Sequence, residues 1–167
     1  AFNLTISEKG EIKAVQRASK AKNLFKISGE SYLNVVIITS LGAYYKLPMY
    51  MFENLENNVS LSELYDDFAK TEKVVGAFTL SEDEEDRDEV YFVTEKGIVK
   101  RTTAMEFKGD NSSSHAIKFK THDDRLVYAG KFADDLDATM LMVSKKAMVI
   151  KFETNTISLL SRNATGV

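Results

Sequence analysis

Val90-Tyr-Phe-Val-Thr-Glu-Lys-Gly-Ile-Val-Lys-Arg-Thr-Thr103 decides the fold. It reads as a β-hairpin. Val90 to Val93 is an unbroken aromatic and β-branched run, the composition of a strand covered on both faces. Thr94-Glu-Lys-Gly97 is turn chemistry, a type I turn closed by a left-handed residue that glycine adopts without a Cβ clash. Ile98-Val99 opens the return strand, which ends on Lys100-Arg101.

The same pattern occurs three more times, in Phe2–Val15, Val35–Leu47 and Thr139–Phe152. Each copy has an apolar strand, a Ser or Thr, two residues, a Gly (Ala147 in the last) and a second strand. A lysine follows the glycine position by three or four residues: Lys13, Lys46, Lys100 and Lys151. Gly42 and Gly97 are 55 residues apart, and Gly97 and Ala147 are 50 apart. Between hairpins, Ala116-Ile-Lys-Phe-Lys-Thr-His-Asp-Asp124-Arg-Leu-Val-Tyr-Ala129 reads as an alternating strand, an acidic turn and a further strand. Glu72–Ala77 matches Asp124–Ala129 in kind. About four strands in roughly 50 residues is the mark of a propeller-like repeat. The expected fold is all-β, one repeat domain over 1–167 with approximate units 1–34, 35–89, 90–138 and 139–167, the last incomplete.

Four features strain this register. Gly10 and Gly42 are only 32 residues apart. Either the first unit has lost a strand or residues are absent from the sequence, and the second is favoured because a lost strand breaks sheet pairing. Ser60-Leu-Ser-Glu63 looks like a helix capping box, with Leu61, Leu64, Tyr65 and Phe68 at helical spacing. The repeat register instead makes Val59–Leu64 a strand, and that reading is preferred. Asn111–Ser114 is a polar loop and Glu82–Glu89 a charged one. At Ala147 a left-handed turn costs about 1–2 kcal/mol, so a different turn or a stabilising Ala147→Gly change is expected.

The 167 residues are 44% hydrophobic and 28% charged, with one proline and no cysteine. That is a globular composition without a disulfide framework or thiolate metal site. No run approaches the ~20 apolar residues of a membrane span, and no signal peptide is visible. The chain begins on Ala, as expected of a piece of something longer. Net charge is −3. Acids gather before the first strand of a hairpin (Glu82–Glu89; Asp134, Asp135 and Asp137), and bases follow the turn. Side-by-side units should then separate an acidic face from a basic band.

Catalytic chemistry is not legible. His122-Asp123-Asp124 reads as a polar turn, and His115 stands alone. Tyr44, Tyr45, Tyr91 and Tyr128 lie in strands with no activating group nearby. Phosphate-binding, nucleophile-elbow and paired Cys/His motifs are absent, so no cofactor or metal is expected.

The ordered set formed by Val90–Thr103, Ala116-Ile-Lys-Phe-Lys, Asp124-Arg-Leu-Val, Val35-Val-Ile-Ile-Thr-Ser-Leu-Gly-Ala-Tyr-Tyr-Lys-Leu-Pro48 and Arg162-Asn-Ala-Thr-Gly-Val167 resembles a known domain. It is similar to the C-terminal β-pinwheel of the A subunit of bacterial DNA gyrase and topoisomerase IV. The resemblance implies a non-catalytic domain that binds and bends double-stranded DNA on a basic rim and presents it to the strand-passing core. It implies as partners the catalytic core of the same subunit and the ATPase subunit of an ATP-dependent type II topoisomerase, in the bacterial cytoplasm. The gyrase box is absent, Gln16-Arg-Ala-Ser-Lys20 being its nearest trace. With Leu47-Pro48, this tilts the resemblance toward topoisomerase IV. The expected DNA-binding residues are Lys13, Arg17, Lys20, Lys22, Lys46, Lys100, Arg101, Lys145, Lys151 and Arg162. The competing reading is a protein-interaction β-propeller with no nucleic-acid role, favoured by the net acidity and the 82–89 loop. A small enzyme built around His122 is the third.

Overall fold

The computed structural model describes residues 2–17, 20–21, 23–53, 58–134, 138–143 and 149–167, with only the backbone of residues 2, 141–143 and 149–150. Lys22, Asp135, Asp137, Lys145 and Ala147 lie outside the described residues.

The chain forms β1 (Phe2–Ile6), β2 (Glu11–Val15), β3 (Phe25–Gly29), β4 (Asn34–Thr39), β5 (Ala43–Pro48) and β6 (Val59–Ser60). The short helix α1 (Leu61–Leu64) follows, then β7 (Val74–Leu80), β8 (Glu89–Thr94), β9 (Val99–Thr103), β10 (Ser113–His115), β11 (Leu126–Phe132), β12 (Thr139–Val143) and β13 (Val149–Glu153). Three 3₁₀ turns, Met49–Phe52, Ala104–Phe107 and Thr154–Thr156, follow the second strands of the last three hairpins.

Four antiparallel hairpins are present: β1–β2, β4–β5, β8–β9 and β12–β13. Strand β8 is buried along its whole length, as its composition requires. At the β8–β9 turn Gly97 has φ +89°, and its N–H bonds Thr94 O at 3.0 Å. Gly10 and Gly42 take the same conformation in the earlier hairpins.

The units exchange strands. Among the described residues the sheet orders are β3-β1-β2-β6, β10-β5-β4-β7, β11-β8-β9 and β12-β13. In the first two sheets, then, the outer strand belongs to the following unit. Val59 pairs with Ile12, and Ser113 pairs with Tyr45. Residues 159–160 serve the third sheet: Leu159 bridges Arg101 in parallel, and Leu160 N donates to Arg101 O at 2.8 Å.

The observed topology corrects four expectations. Among the described residues the first unit contributes no strand to another sheet, yet its own sheet is four-stranded, so its shortness does not break its sheet pairing. Residues 59–64 are a two-residue strand followed by one helical turn, so the helical reading holds for Leu61–Leu64, with Ser60 Oγ paired to Ser62 Oγ at 2.9 Å rather than capping the turn. The strand in unit three is Ser113–His115, not Ala116–Phe119. A loop expected from Asn111–Ser114 is therefore half strand, because β5 supplies an edge for it to pair with.

Each blade face is apolar because the next blade packs on it. Val35, Ile37 and Tyr45 face a core shared with Leu4, Ile6 and Ile12. Val36, Ile38 and Tyr44 face a second core shared with Val90, Phe92 and Phe107. The period-2 alternation of β4 and β5 thus divides one hairpin between two interfaces. At the second, Phe107 meets Tyr44 edge-on at 5.1 Å and Phe78 at 5.6 Å.

After their exchanged strands, the crossovers of units two and three each form a strap joining two hairpin turns. In unit two, Leu61 N bonds Gly10 O and Val74 N bonds Glu8 O. Buried Glu72 pins the far end, accepting from Thr39 Oγ1, from Tyr45 OH at 3.3 Å and from Ala69 N at 3.0 Å. Burial and the Glu72 charge raise the Tyr45 phenol well above the usual tyrosine range. In unit three, Ala116 N bonds Gly42 O and Leu126 N bonds Ser40 O. Buried Asp124 takes the place of Glu72, accepting from Lys96 N at 3.1 Å.

Candidate nucleic-acid interface

The recurring lysines do not form one band. Side chains one residue apart on a strand point to opposite faces, and the lysines fall at two registers: Lys46 lies opposite Val36, whereas Lys100 lies opposite Phe92. Both nonetheless enter the same interface, from opposite blades. Lys46 is 7% exposed and Lys100 is 0% exposed.

These two ammonium groups cap backbone carbonyls. Lys46 Nζ donates to Phe107 O at 2.9 Å, to Gly109 O at 2.6 Å and to Glu82. Burial raises the Glu82 carboxyl, but bonds from Lys46, Gly109 N and Asn34 outweigh it and leave its pKa lowered. Lys100 Nζ donates to Ala116 O at 2.9 Å and to Arg162 O, and sits 5.5 Å from the Phe92 ring centre. The carbonyls it holds belong to two different crossovers. The expected outward role of Lys46 and Lys100 therefore gives way to a place inside the blade interface.

Arg101 is half-buried and lies 3.1 Å from Glu89. Burial pushes the Glu89 carboxyl up, against the pull of Arg101. Arg162 stacks 5.3 Å from the Tyr44 ring centre, and its Nη1 donates to Ser114 Oγ at 3.2 Å and to His115 O. Lys13, Arg17, Lys20 and Lys151 are exposed. Lys13 shares a sheet face with Lys26, the two flanking Thr5 across β1. Of the expected set, Lys100 and Arg162 are brought together; Lys13 and Lys151 lie on different sheets.

Acids and bases are also less segregated than the sequence implied. Glu82 and Glu89 from the acidic loop meet Lys46 and Arg101, while Asp86 holds Lys131 at 2.5 Å. Still, residues 82–89 carry −6, which leaves +3 for the rest of a chain whose total is −3.

The unit-three strap supplies the cations that the repeat argument passed over. Ile117 and Phe119 turn inward beneath Gly42, where both side chains lie against the space a Cβ would fill. Lys118 and Lys120 alternate outward and are exposed. Neither forms an ion pair with an acid among the described residues. Exposed Arg125 follows and closes its turn by donating to His122 O at 2.9 Å. Lys96 reaches the same turn, 2.7 Å from Asp123, and its hydrogen bond holds the Asp123 carboxyl down to about 2. The strap begins at exposed His115, where Arg162 docks. The signal was present in the alternation of Ala116-Ile-Lys-Phe-Lys, which places its lysines opposite its apolar residues.

Lys100 gives this region a pH dependence. Burial, then the nearby Arg162 charge, lowers its pKa to about 8, with Glu106 opposing. An unfolded lysine titrates near 10.4. Between these values the unfolded chain binds more protons, so stability rises with pH. A gain of about 1–2 kcal/mol is expected between pH 8 and 9.5. Urea unfolding across that window checks it, and Lys100→Met should flatten the rise. The window stops below pH 10 because Tyr44, Tyr45, Tyr65 and Tyr128 have raised pKa values, which reverse the slope once unfolded tyrosine ionises.

No groups of three or more potential metal-ligating side chains occur among the described residues. Among them, too, no helix is long and apolar enough to cross a membrane.

Comparison with known proteins agrees with this architecture. The profile of the DNA gyrase C-terminal domain, β-propeller, matches residues 33–81, 88–130 and 138–167. The C-terminal domain of DNA topoisomerase IV superposes with a TM-score of 0.82 at 18% identity, covering 99% of this chain and 55% of that one. The DNA gyrase A C-terminal domain gives 0.67 at 18% identity, covering 99% and 59%. The E. coli ParC C-terminal domain gives 0.72 at 15% identity, covering 99% and 70%. The chain thus spans little more than half the length of the first two structures. A search of curated proteins returned no match. With exchanged blades and a profile match over most of its length, the chain belongs to the DNA gyrase C-terminal domain family of β-propellers.

Proposed function

We propose that the chain binds and bends duplex DNA as the C-terminal domain of a type IIA topoisomerase A subunit. The bent duplex is presented to the strand-passing core. The carrying observation is the 115–125 strap, a rigidly anchored segment whose exposed Lys118 and Lys120 have no ion-pair partner among the described residues. Such contacts go to phosphates and are tolerant of sequence. Exposed Lys13, Arg17, Lys20 and Lys151 extend the surface, and Lys22 and Lys145 join it on sequence grounds. The partners are the catalytic core of the same subunit and an ATPase subunit, in the bacterial cytoplasm, and the domain needs no cofactor of its own. The missing gyrase box favours topoisomerase IV over gyrase.

A salt series of duplex binding tests this. Lys118→Ala with Lys120→Ala should reduce the slope of log K against log salt by about 1.8. Affinity at 0.1 M salt should fall about ten- to a hundredfold. An unchanged slope removes the strap from the interface. No retardation of DNA even at low salt instead supports the protein-interaction reading, which the −6 charge of residues 82–89 favours.

A further inference from the structure

Lys100 is a buried base whose bonded partners are carbonyls, not acids. The groups around it are mostly cationic. Arg162 arrives from the last crossover, bonded through its own carbonyl to Lys100 Nζ. The strap contributes His115, Lys118 and Lys120, all exposed. Glu106, exposed on the Ala104–Phe107 turn, is the favourable charge. On the facing blade, the Tyr44 ring lies under Arg162. Lys46 in the same interface is already joined to Glu82.

Lys100 Nζ is joined to the strap through the Ala116 carbonyl at 2.9 Å. Ala116, whose carbonyl Lys100 holds, is two residues from Lys118, about 7 Å of extended chain. Allowing for the Lys118 side chain, a phosphate held there sits roughly 10–15 Å from Lys100. At a protein surface, a charge at that distance shifts an ionisation by about one pKa unit.

We propose that seating duplex DNA on the 115–120 strap draws a proton from solvent onto Lys100 Nζ, so that the protein's hold on DNA weakens as pH rises. This rests on the DNA-binding reading above. The resting pKa of Lys100, about 8, puts the effect in the weakly alkaline range. There, deprotonation removes a positive charge from beneath the phosphates while the amine remains able to donate to its two carbonyls.

The experiment is calorimetric titration of the whole chain with a short duplex at pH 8.5, in Tris and in HEPES, whose ionisation enthalpies differ. Uptake of about half a proton per complex is expected, with affinity falling about sixfold between pH 7.5 and 9.5. Lys100→Arg keeps charge and donors at every pH used, and should bind DNA without proton uptake and with a flatter pH profile. Lys100→Met should also lose the uptake, and if it does not fold, the arginine variant carries the comparison. No uptake in the wild type, or the same uptake in the variants, overturns the inference and leaves DNA binding standing. No binding in either buffer overturns the functional reading itself.

Discussion

Gly76→Ala is expected to lower the stability of the domain by about 3 kcal/mol, an overpacking cost at the upper end of the usual range. Gly76 lies in β7, where it pairs with Ile38. Its missing side chain admits the neighbouring inner strand. A Cβ there would stand 2.1 Å from Ala129 O and 2.9 Å from Ala129 C in β11. Both are backbone atoms, so no rotamer change relieves the collision, and β11 is held from its other side by β8. The inner strands of two blades must separate. For a domain of this size that corresponds to a fall of about 6–12 °C in Tm. Gly97→Ala is the internal control. It has nothing within 4 Å of a built Cβ, and its cost of about 1–2 kcal/mol is purely that of a left-handed backbone. Thermal unfolding of the two variants separates the effects, and an equal loss at both sites contradicts the close approach of β7 and β11.

Phe107→Ala is expected to cost about 3–5 kcal/mol, the range for emptying a buried aromatic site. Phe107 is fully buried and belongs to a 3₁₀ turn of unit three. Its ring meets Tyr44 and Phe78 of the second blade and Phe92 of the third. Its carbonyl accepts from Lys46. Truncation therefore removes the shared centre of one interface while leaving every hairpin intact. Phe107→Leu should recover about half the loss. Urea unfolding checks both variants, with a lowered midpoint and an unchanged m-value expected. A shift below 1 kcal/mol would show that the two blades do not depend on this contact.

The hairpins were legible because their determinants are local. Val90–Val93 and Gly97 specify strand and turn within a dozen residues, and period 2 does the rest. The strand exchange was not legible, because Ser113-Ser-His115 has no apolar alternation of its own and becomes a strand only at the edge of β5. The same non-locality misplaced the site. Lys100 and Lys46 recur in sequence like rim cations, but a lysine's long stem lets its charge reach carbonyls inside an interface, and only tertiary contacts distinguish the two uses. Lys118 and Lys120 sat in a quoted motif with the right alternation, yet they do not recur in the unit-two strap. There Glu63, Asp66 and Asp67 stand. Repetition reported what the fold shares, while the candidate contact lies where the copies differ.

The exchanged strands also set a clock on biosynthesis. Tyr45 pairs with Ser113, a partner 68 residues later in the chain. At translation rates of about 5–20 residues per second, the second blade emerges with a bare outer edge and waits roughly 3–14 s for the strand that completes it. Hairpin formation itself takes microseconds. During that interval the edge of β5 is a template for another nascent chain, so crowding on a polysome favours mispairing between neighbours. A slower ribosome lengthens the exposure.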